Sequence, residues 1–385
     1  MSTNNQSIQN SLEAMNDQIS IAGIGIITPH GENVTANHSV VNAGNDVPLK
    51  DTIENFKPAD YFKRRYLRPL DDVTIRSIAM VTAAMRDAGI ALEDLPADRV
   101  GLVLGSVFAG IGCIFDFKQT CFEGRENDYL GLSPLYFPGI VFNSISGQPA
   151  IEYGFTGPNA VINGGFSSGL LAVIKGAEYL LSGKADVVFA GGSEMNHPFI
   201  QKKLLADKDQ DYVRLQGKNF HTSEATCLYL LHRKGDERFA GLKHYADISG
   251  WQYGFCPNGL NAQAVSGALS KVLKRSGAEK IEAVVCDADA DTPLGAIEQA
   301  GLAQAFETTQ LNNDTIKSDT IKSDTMLLNN KSVFGHSLGA SGSLNLYQGL
   351  MHINDLSKTE RNNAVLINSI DAAGSYAFMT LQTGQ

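Results

Sequence analysis

The chain has 385 residues, of which 43% are apolar, and its formal net charge is −10. This composition is typical of a globular protein with a sizeable core, and the length suits one large α/β unit or two ordinary domains. The acidic balance argues against non-specific nucleic-acid binding. The sequence contains no apolar run of roughly 18 residues, the length a membrane span needs, and its polar start has no signal-peptide pattern.

The predicted elements alternate between strands and helices along the chain. Residues 1–17 are polar and are predicted to be a disordered tail. Apolar, β-branched runs predict strands at 18–28, 99–107, 185–194, 282–290 and 363–371. Helices are predicted at 75–89, 168–183, 265–277 and 337–353. This alternation predicts a mostly parallel sheet covered by helices on both faces.

The second half of the chain repeats the pattern of the first. We therefore expect a duplicated α/β core in one compact unit, with an N-terminal half at 18–245 and a C-terminal half at 246–385. The pentamer TIKSD occurs twice within 315–325, and it is interpreted as a surface loop lengthened by duplication.

Five cysteines are scattered without close pairs, which indicates reduced thiols and a cytoplasmic location. They are Cys113, Cys121, Cys227, Cys256 and Cys286. Neither they nor the eight histidines show metal-ligand spacing, so we expect no metal and no other cofactor.

The stretch AVINGGFSSGLL, at 160–171, joins a predicted strand to a helix through a glycine-rich turn. Several enzymes present a nucleophile on such an elbow, at the N-terminus of a helix. Here the tip is Phe166, which has no nucleophilic atom. Ser167 and Ser168 follow it, either as substitute nucleophiles or, as is more usual for serine at a helix start, as caps.

The block GPNAVINGGFSSGLLAVIKGAEYLLSGKADVVFAGGSE, at 157–194, resembles the active-site block of β-ketoacyl synthases, condensing enzymes of the thiolase fold. DTPLG at 291–295 is similar to the end of the family's first histidine motif, and NKSVFGHSLGASG at 330–342 is similar to its lysine–histidine motif. The resemblance covers about 19–382. It implies an α/β, thiolase-like duplicated αβαβα layered fold with two mostly parallel or mixed sheets.

The resemblance also implies which residues should carry the chemistry. In the family a cysteine accepts an acyl chain, and two histidines assist malonyl decarboxylation and the Claisen condensation that follows. The cysteine position holds Phe166 and the first histidine position holds Ala288, whereas Lys331 and His336 are retained. The family's glycine-rich gating loop is replaced by DAAGSY at 371–376. No intact catalytic set is therefore expected.

Within the family, a chain with these two catalytic positions replaced resembles the chain-length-factor subunit of type II polyketide synthases. Such a subunit pairs with an active ketosynthase, which is expected to make most of the contact with the acyl carrier protein. Most subunits of the aromatic type have glutamine at the cysteine position, so Phe166 favours a polyene or aryl-polyene pathway.

Two further sets of residues follow from the resemblance. The expected wall of the substrate tunnel, which would set chain length, includes Cys113, Ile114, Phe115 and Phe117. The expected dimer interface includes Asn163, Gly164, Gly165 and Phe166. An isolated subunit would expose a large apolar surface, so we expect the chain alone to self-associate or to be poorly soluble.

Two alternatives remain open. Beside the chain-length-factor role, one alternative is an autonomous acyltransferase or malonyl decarboxylase that uses Lys331 and His336, and the other is a homodimeric acyl-binding protein. Three alternating aspartates, Asp287, Asp289 and Asp291, are interpreted as an acidic, solvent-facing loop rather than a cation site.

Overall fold

The computed structural model describes residues 19–63, 70–123, 134, 137–206, 221–309, 325–355 and 363–383. The predicted tail at 1–17 and nearly all of the TIKSD repeat lie outside these residues. All five cysteines lie within them, and each is a free thiol. Among the helices so described, none combines the length and the apolar character needed to cross a membrane.

Ten strands form the sheet of the described chain. They are β1 (Ile19–Ile27), β2 (Val100–Gly105), β3 (Asn159–Ile162), β4 (Val187–Glu194), β5 (Ala225–Arg233), β6 (Ala246–Phe255), β7 (Lys280–Cys286), β8 (Met326–Asn329), β9 (Asn363–Ile370) and β10 (Ser375–Gln382). All nine residues of β1 are buried, as expected of a strand covered on both faces.

Eleven α-helices accompany these strands in the described residues. They are α1 (Val34–Ala43), α2 (Asp72–Ala88), α3 (Ile111–Glu123), α4 (Phe137–Ile140), α5 (Ser144–Tyr153), α6 (Ser168–Leu181), α7 (Pro198–Ala206), α8 (Ala262–Ser276), α9 (Pro293–Thr309), α10 (Lys331–Phe334) and α11 (Ser341–Asp355). A 3₁₀ turn at Leu338–Ala340 leads into α11.

The sheet shows the expected duplication. Its strand order is β3-β2-β4-β5-β1-β6-β10-β9-β7-β8, so β1 to β5 and β6 to β10 have the same order read from opposite edges. The strands β2, β3 and β4 are parallel, and so are β7, β8 and β9. The strands β5 and β10 run antiparallel to their neighbours, which makes the sheet mixed.

The two halves are joined edge to edge rather than forming two separate sheets. Residues 19–21 of β1 pair with residues 246–248 of β6, with Ile19 opposite Ile248. This pairing satisfies backbone groups that would otherwise form two buried strand edges.

Three apolar clusters define the layers. The largest surrounds α6 and α11 and includes strand residues from both halves of the sheet. A second cluster packs α2 against the N-terminal half, and a third packs α8 and α9 against the C-terminal half. The order of layers is therefore αβαβα, as predicted, with α6 and α11 in the middle.

Two glycines allow the N-termini of the central helices to approach closely. A Cβ atom on Gly169 would lie 2.5 Å from the Ser343 hydroxyl, and one on Gly342 would lie 2.9 Å from Leu170 Cβ. Side chains at these positions would push the helices apart. The close approach brings the turn before α6 and the turn before α11 into one region.

Candidate functional site

The elbow is a tight turn between β3 and α6. Gly165 has a φ of +65°, a left-handed conformation that favours glycine. The Ser168 hydroxyl accepts a hydrogen bond from the Gly164 N–H, 3.0 Å away, and donates one to the Gly165 carbonyl. This hydroxyl therefore holds the turn closed, which agrees with a capping role rather than that of a nucleophile.

The Phe166 ring is buried at the tip of the elbow, with only 2% of the residue exposed. Its centroid lies 4.3 Å from that of the His336 ring, in an edge-to-face arrangement. The apolar cluster around it consists of Val107, Phe108, Ile111, Ile200, Leu204 and Leu338. Burying a ring of this size contributes about 2 kcal/mol. An apolar side chain thus occupies the position where an elbow nucleophile would stand.

His336 is buried in the turn between α10 and the 3₁₀ turn. Its backbone N–H donates to the His221 carbonyl at 2.7 Å, and its Nδ1 accepts the Leu338 N–H at 3.1 Å. Burial, and secondarily the charge of Lys331, holds the pKa of His336 well below its usual range. The ring is therefore neutral near pH 7, and the Leu338 hydrogen bond places its proton on Nε2.

Lys331 neutralises a buried carboxylate. Its Nζ lies 3.3 Å from Asp287 Oδ2, and both side chains are nearly inaccessible to solvent. Asp287 also accepts hydrogen bonds from Asn345 Nδ2 at 2.6 Å and from the Ile370 N–H at 3.1 Å. These contacts hold the retained lysine in an ion pair.

The prediction that the three aspartates share a solvent-facing loop was wrong for Asp287. Because β7 ends at Cys286, strand alternation does not extend to Asp287, Asp289 and Asp291. Asp287 is completely buried, Asp289 is half-buried and accepts a hydrogen bond from Asn329 Nδ2 at 2.8 Å, and Asp291 is exposed.

Ala288 lies beside a carboxylate that the sequence analysis missed. Its N–H donates to Glu298 at 2.9 Å, and the Asp287 N–H donates to the same carboxylate at 3.0 Å. Burial, reinforced by the charge of Asp287, raises the pKa of Glu298 to about 7. The Ala288 methyl group itself offers no hydrogen-bond donor.

The loop between β9 and β10 is attached to the elbow by two hydrogen bonds. Asp371 Oδ2 accepts the Phe166 N–H at 2.6 Å, and the Ser375 hydroxyl donates to the Gly164 carbonyl at 2.6 Å. Asp371 Oδ1 accepts the Ala373 N–H at 2.7 Å. Burial raises the pKa of Asp371, although both of these N–H donors favour its ionised form.

Glu194, at the end of β4, is a second carboxylate that the sequence analysis missed. It accepts the N–H groups of Val107 at 2.6 Å, Phe108 at 3.1 Å and Gly339 at 3.2 Å, together with the Ser106 hydroxyl at 3.0 Å. Burial raises the pKa of Glu194 to about 7. This carboxylate joins the two segments that carry Val107, Phe108 and Leu338 against the Phe166 ring.

The four residues predicted to line a tunnel lie on α3 but do not share one environment. Cys113 is buried, and burial raises the pKa of its thiol to about 12. Ile114 and Phe115 are exposed, at 40% and 36%, whereas Phe117 is half-buried. The Phe115 ring lies 5.0 Å from His197 and 5.6 Å from Phe199, between ring centroids. The tunnel stays a prediction.

The four residues predicted to form an interface also differ in exposure. Asn163 is exposed, Gly164 and Gly165 are half-buried, and the Phe166 ring packs inside its own chain. Any contact with a partner at this point would therefore involve the strand and turn rather than the Phe166 ring. The interface likewise stays a prediction.

The architecture is that of the thiolase-like α/β proteins, and two solved structures share it. One is "The ishigamide ketosynthase/chain length factor", with a TM-score of 0.75, 16% identity and coverage of 96% of this chain and 100% of that one. The other is a type II polyketide synthase acyl-carrier protein in complex with its ketosynthase bound to the hexaketide. It has a TM-score of 0.77, 19% identity, and coverage of 96% and 100%.

Sequence comparisons find similarity to beta-ketoacyl synthases. The beta-ketoacyl synthase N-terminal domain matches residues 49–206. The 3-oxoacyl-[acyl-carrier-protein] synthase 2 of Vibrio cholerae is 24% identical over 372 residues, covering 88% of this chain and 86% of the relative. That of Rhizobium meliloti is 25% identical over 331 residues, covering 80% and 75%. The domain match and the relatives are similarities to beta-ketoacyl synthases, and the fold is the one that the two solved structures share. These relatives are named as synthases, whereas this chain has Phe166 at the tip of its elbow.

Proposed function

We propose that the chain is a non-catalytic, chain-length-factor-like subunit that pairs with an active ketosynthase. The pair would elongate a polyketide or polyene chain bound to an acyl carrier protein, by decarboxylative Claisen condensation. The observation that carries the proposal is the buried Phe166 ring at the tip of the elbow, packed against His336 with centroids 4.3 Å apart.

The chemistry that the site lacks supports a non-catalytic role. Acyl transfer needs a nucleophile to form the covalent intermediate, and condensation needs donors for the developing negative charge. Phe166 offers no nucleophilic atom and Ala288 no side-chain donor. Of the retained residues, Lys331 is paired with Asp287, and the His336 ring is in contact with Phe166. These contacts argue against an autonomous acyltransferase or decarboxylase.

Exposed apolar side chains support a protein partner. Ile114 and Phe115 on α3 are exposed, and so are Phe137 on the adjoining α4 and Phe199 on α7. Phe137 is 64% exposed and Phe199 is 42% exposed. The Phe115 ring contacts that of Phe199, so at least part of this apolar surface is continuous. An active ketosynthase of the same fold is the partner we propose, by analogy with the ketosynthase/chain length factor named above.

The product class is the finer part of the proposal. The resemblance favours a polyene or aryl-polyene pathway, since Phe166 replaces the glutamine usual in the aromatic type. Bulky residues on α3 would limit the length of the chain, with Cys113 facing the interior and Phe115 the surface that the partner would cover.

Co-expression tests the proposal directly. The tagged chain is produced together with a ketosynthase from the same genome that has an intact cysteine and two histidines, and native mass spectrometry records what is captured. We expect a one-to-one complex that condenses malonyl units on the carrier protein when neither chain does so alone. Capture of a homodimer only would favour the acyl-binding alternative, and turnover of malonyl carrier protein by this chain alone would favour an autonomous enzyme.

The same complex tests the role of α3 in chain length. The variant C113A/F115A should lengthen the product, because it enlarges the space behind the growing chain. The matched control is M326A, which truncates an exposed apolar residue on β8, at the opposite edge of the sheet. Unchanged product length in C113A/F115A would remove these two residues from the proposed tunnel.

A further inference from the structure

The backbone N–H of Phe166 already has an anionic partner within the chain. Asp371 Oδ2 accepts it at 2.6 Å, although the two residues are 205 positions apart in sequence. The carboxylate is 2% exposed and stands before α6, a helix of 14 residues. The N-terminal end of such a helix favours negative charge.

The approach of Asp371 depends on the elbow. A Cβ atom on Gly165 would lie 2.0 Å from Asp371 Oδ2, so a side chain there would exclude the carboxylate. The Ala373 N–H holds the other oxygen of the carboxylate, and the Ser375 hydroxyl fixes the same loop to Gly164. Several independent contacts therefore keep Asp371 on the Phe166 N–H.

This N–H is the donor that acyl transfer at an elbow would need. When a nucleophile attacks a thioester, the carbonyl oxygen becomes negative, and a backbone N–H at the nucleophile stabilises it from about 2.7–3.1 Å. A donor that already binds a carboxylate is not available for this oxygen. The carboxylate would also repel both the oxyanion and a neighbouring thiolate.

We propose that Asp371 is an internal anion that blocks acyl transfer at the elbow, independently of the loss of the nucleophile at Phe166. The proposal rests on the proposed function only in treating residue 166 as the former nucleophile position. It predicts that restoring cysteine at 166 does not restore acyl transfer unless Asp371 is also replaced by a residue without an acceptor.

Three full-length variants separate the effects of charge and of hydrogen bonding. F166C keeps Asp371, F166C/D371N removes the charge but keeps an oxygen that can accept the N–H, and F166C/D371A removes both.

The rate of alkylation by iodoacetamide across a pH range measures the fraction of the introduced cysteine that is thiolate. In this reaction the sulfur forms a bond to carbon, iodide leaves and no oxyanion develops. Acetylation by the thioester S-acetyl-N-acetylcysteamine, in contrast, passes through an oxyanion. The thiolate attacks the carbonyl carbon, the original C–S bond breaks, and the leaving thiolate takes a proton from water.

We expect the acetylation rate, divided by the thiolate fraction, to be on the order of 100-fold higher in F166C/D371A than in F166C/D371N, because an oxyanion-hole donor typically contributes a factor of this size. Alkylation of the thiolate itself should be similar in the two. Equal acetylation rates per thiolate would overturn the proposal. This outcome would leave the proposed partnership untouched, since that is decided by capture of a ketosynthase.

A second measurement keeps Phe166 in place and does not depend on the folding of a cysteine variant. Hydrogen exchange of the Phe166 N–H should remain slow in the wild type and in D371N, and become at least 10-fold faster in D371A. The matched control is S375A, which removes the other hydrogen bond between loop and elbow but leaves Asp371 on the N–H. Equal protection in D371A and S375A would overturn the proposal.

Discussion

Of the site residues that the chain retains, Lys331 is held by a buried charge. It pairs with Asp287: each side chain is almost completely removed from solvent, and their charged atoms are 3.3 Å apart. Asp287 has two further donors, Asn345 and the Ile370 N–H, whereas Lys331 is the only cation shown in contact with it among the described residues. Removing the lysine would leave a negative charge without its counter-charge in the interior.

We therefore expect K331M to lower the free energy of unfolding by roughly 3–5 kcal/mol, as when one partner of a buried ion pair is removed. Denaturant unfolding followed by circular dichroism measures the change. The exposed Lys271 supplies the control, K271M, which should alter stability by less than about 0.5 kcal/mol. D287N/K331M should recover part of the loss, because no uncompensated charge remains. A K331M protein as stable as K271M would show that the pair is not structural.

Residues that belong to short sequence motifs could be identified from the sequence. Residues that reach the site from distant positions in the chain were missed. Phe166, Ala288, Lys331 and His336 each stand at a fixed place in a short pattern, and they could be assigned position by position. No local pattern connects Asp371 with the Phe166 N–H, 205 positions away, because their contact depends on how the two halves pack. A buried carboxylate such as Glu194 leaves only one signal in the sequence, a charge at the end of an apolar strand.

At the level of elements, Glu194 connects three parts of the fold. Its carboxylate accepts N–H groups from the segment after β2 and from the 3₁₀ turn before α11, while the residue itself ends β4. Two of these parts, the segment after β2 and the 3₁₀ turn, supply Val107, Phe108 and Leu338 to the apolar cluster around the Phe166 ring. The geometry of the site thus depends on one buried carboxylate.

This carboxylate predicts a pH dependence of stability. Burial raises the pKa of Glu194 from 4.5 to about 7, so the folded chain holds a proton there over a range in which the unfolded chain has released it. Its contribution to the free energy of unfolding is therefore greatest below about pH 4.5 and falls as the pH rises to about 7. Glu298 has the same sign and range.

Thermal unfolding between pH 4.5 and 8 measures this dependence. E194Q should show a less negative slope of melting temperature against pH than the wild type, because Glu194 no longer titrates. E237Q, at an exposed glutamate, is the matched control and should keep the wild-type slope. Equal slopes in E194Q and E237Q would contradict a raised pKa at Glu194.

The elements themselves were predictable to different degrees. Central parallel strands such as β2 and β4 are short apolar runs before or after helices, and the sequence located them. The antiparallel strands β5 and β6 were not predicted, because they follow one another without an intervening α-helix and so break the alternating pattern. The pairing of β6 with β1 is what joins the two halves into one sheet.

At the level of the whole molecule, the duplication leaves β3 at one edge of the sheet and β8 at the other. β3 is short and its residues are exposed or half-buried. The Pro158 carbonyl accepts a hydrogen bond from Leu102 of β2, and the Ile162 carbonyl accepts one from Ser106, directly after β2. The alternate residues Asn159 and Val161 therefore direct their N–H groups away from β2. Such an edge can pair with a strand of another chain.

This edge predicts how the chain associates. V161P removes an outward N–H without disturbing the hydrogen bonds to β2, and it should weaken the complex with the ketosynthase by at least 10-fold. V161A is the matched control, because it shortens the same side chain but keeps the N–H, and it should bind the ketosynthase nearly as the wild type does.

Light scattering after size exclusion, with circular dichroism to confirm folding, measures the association of the chain alone and with its partner. Because a lone chain would pair its edge with a second copy, V161P should also reduce self-association. A folded V161P protein that still forms the complex as V161A does would place the interface elsewhere on the molecule.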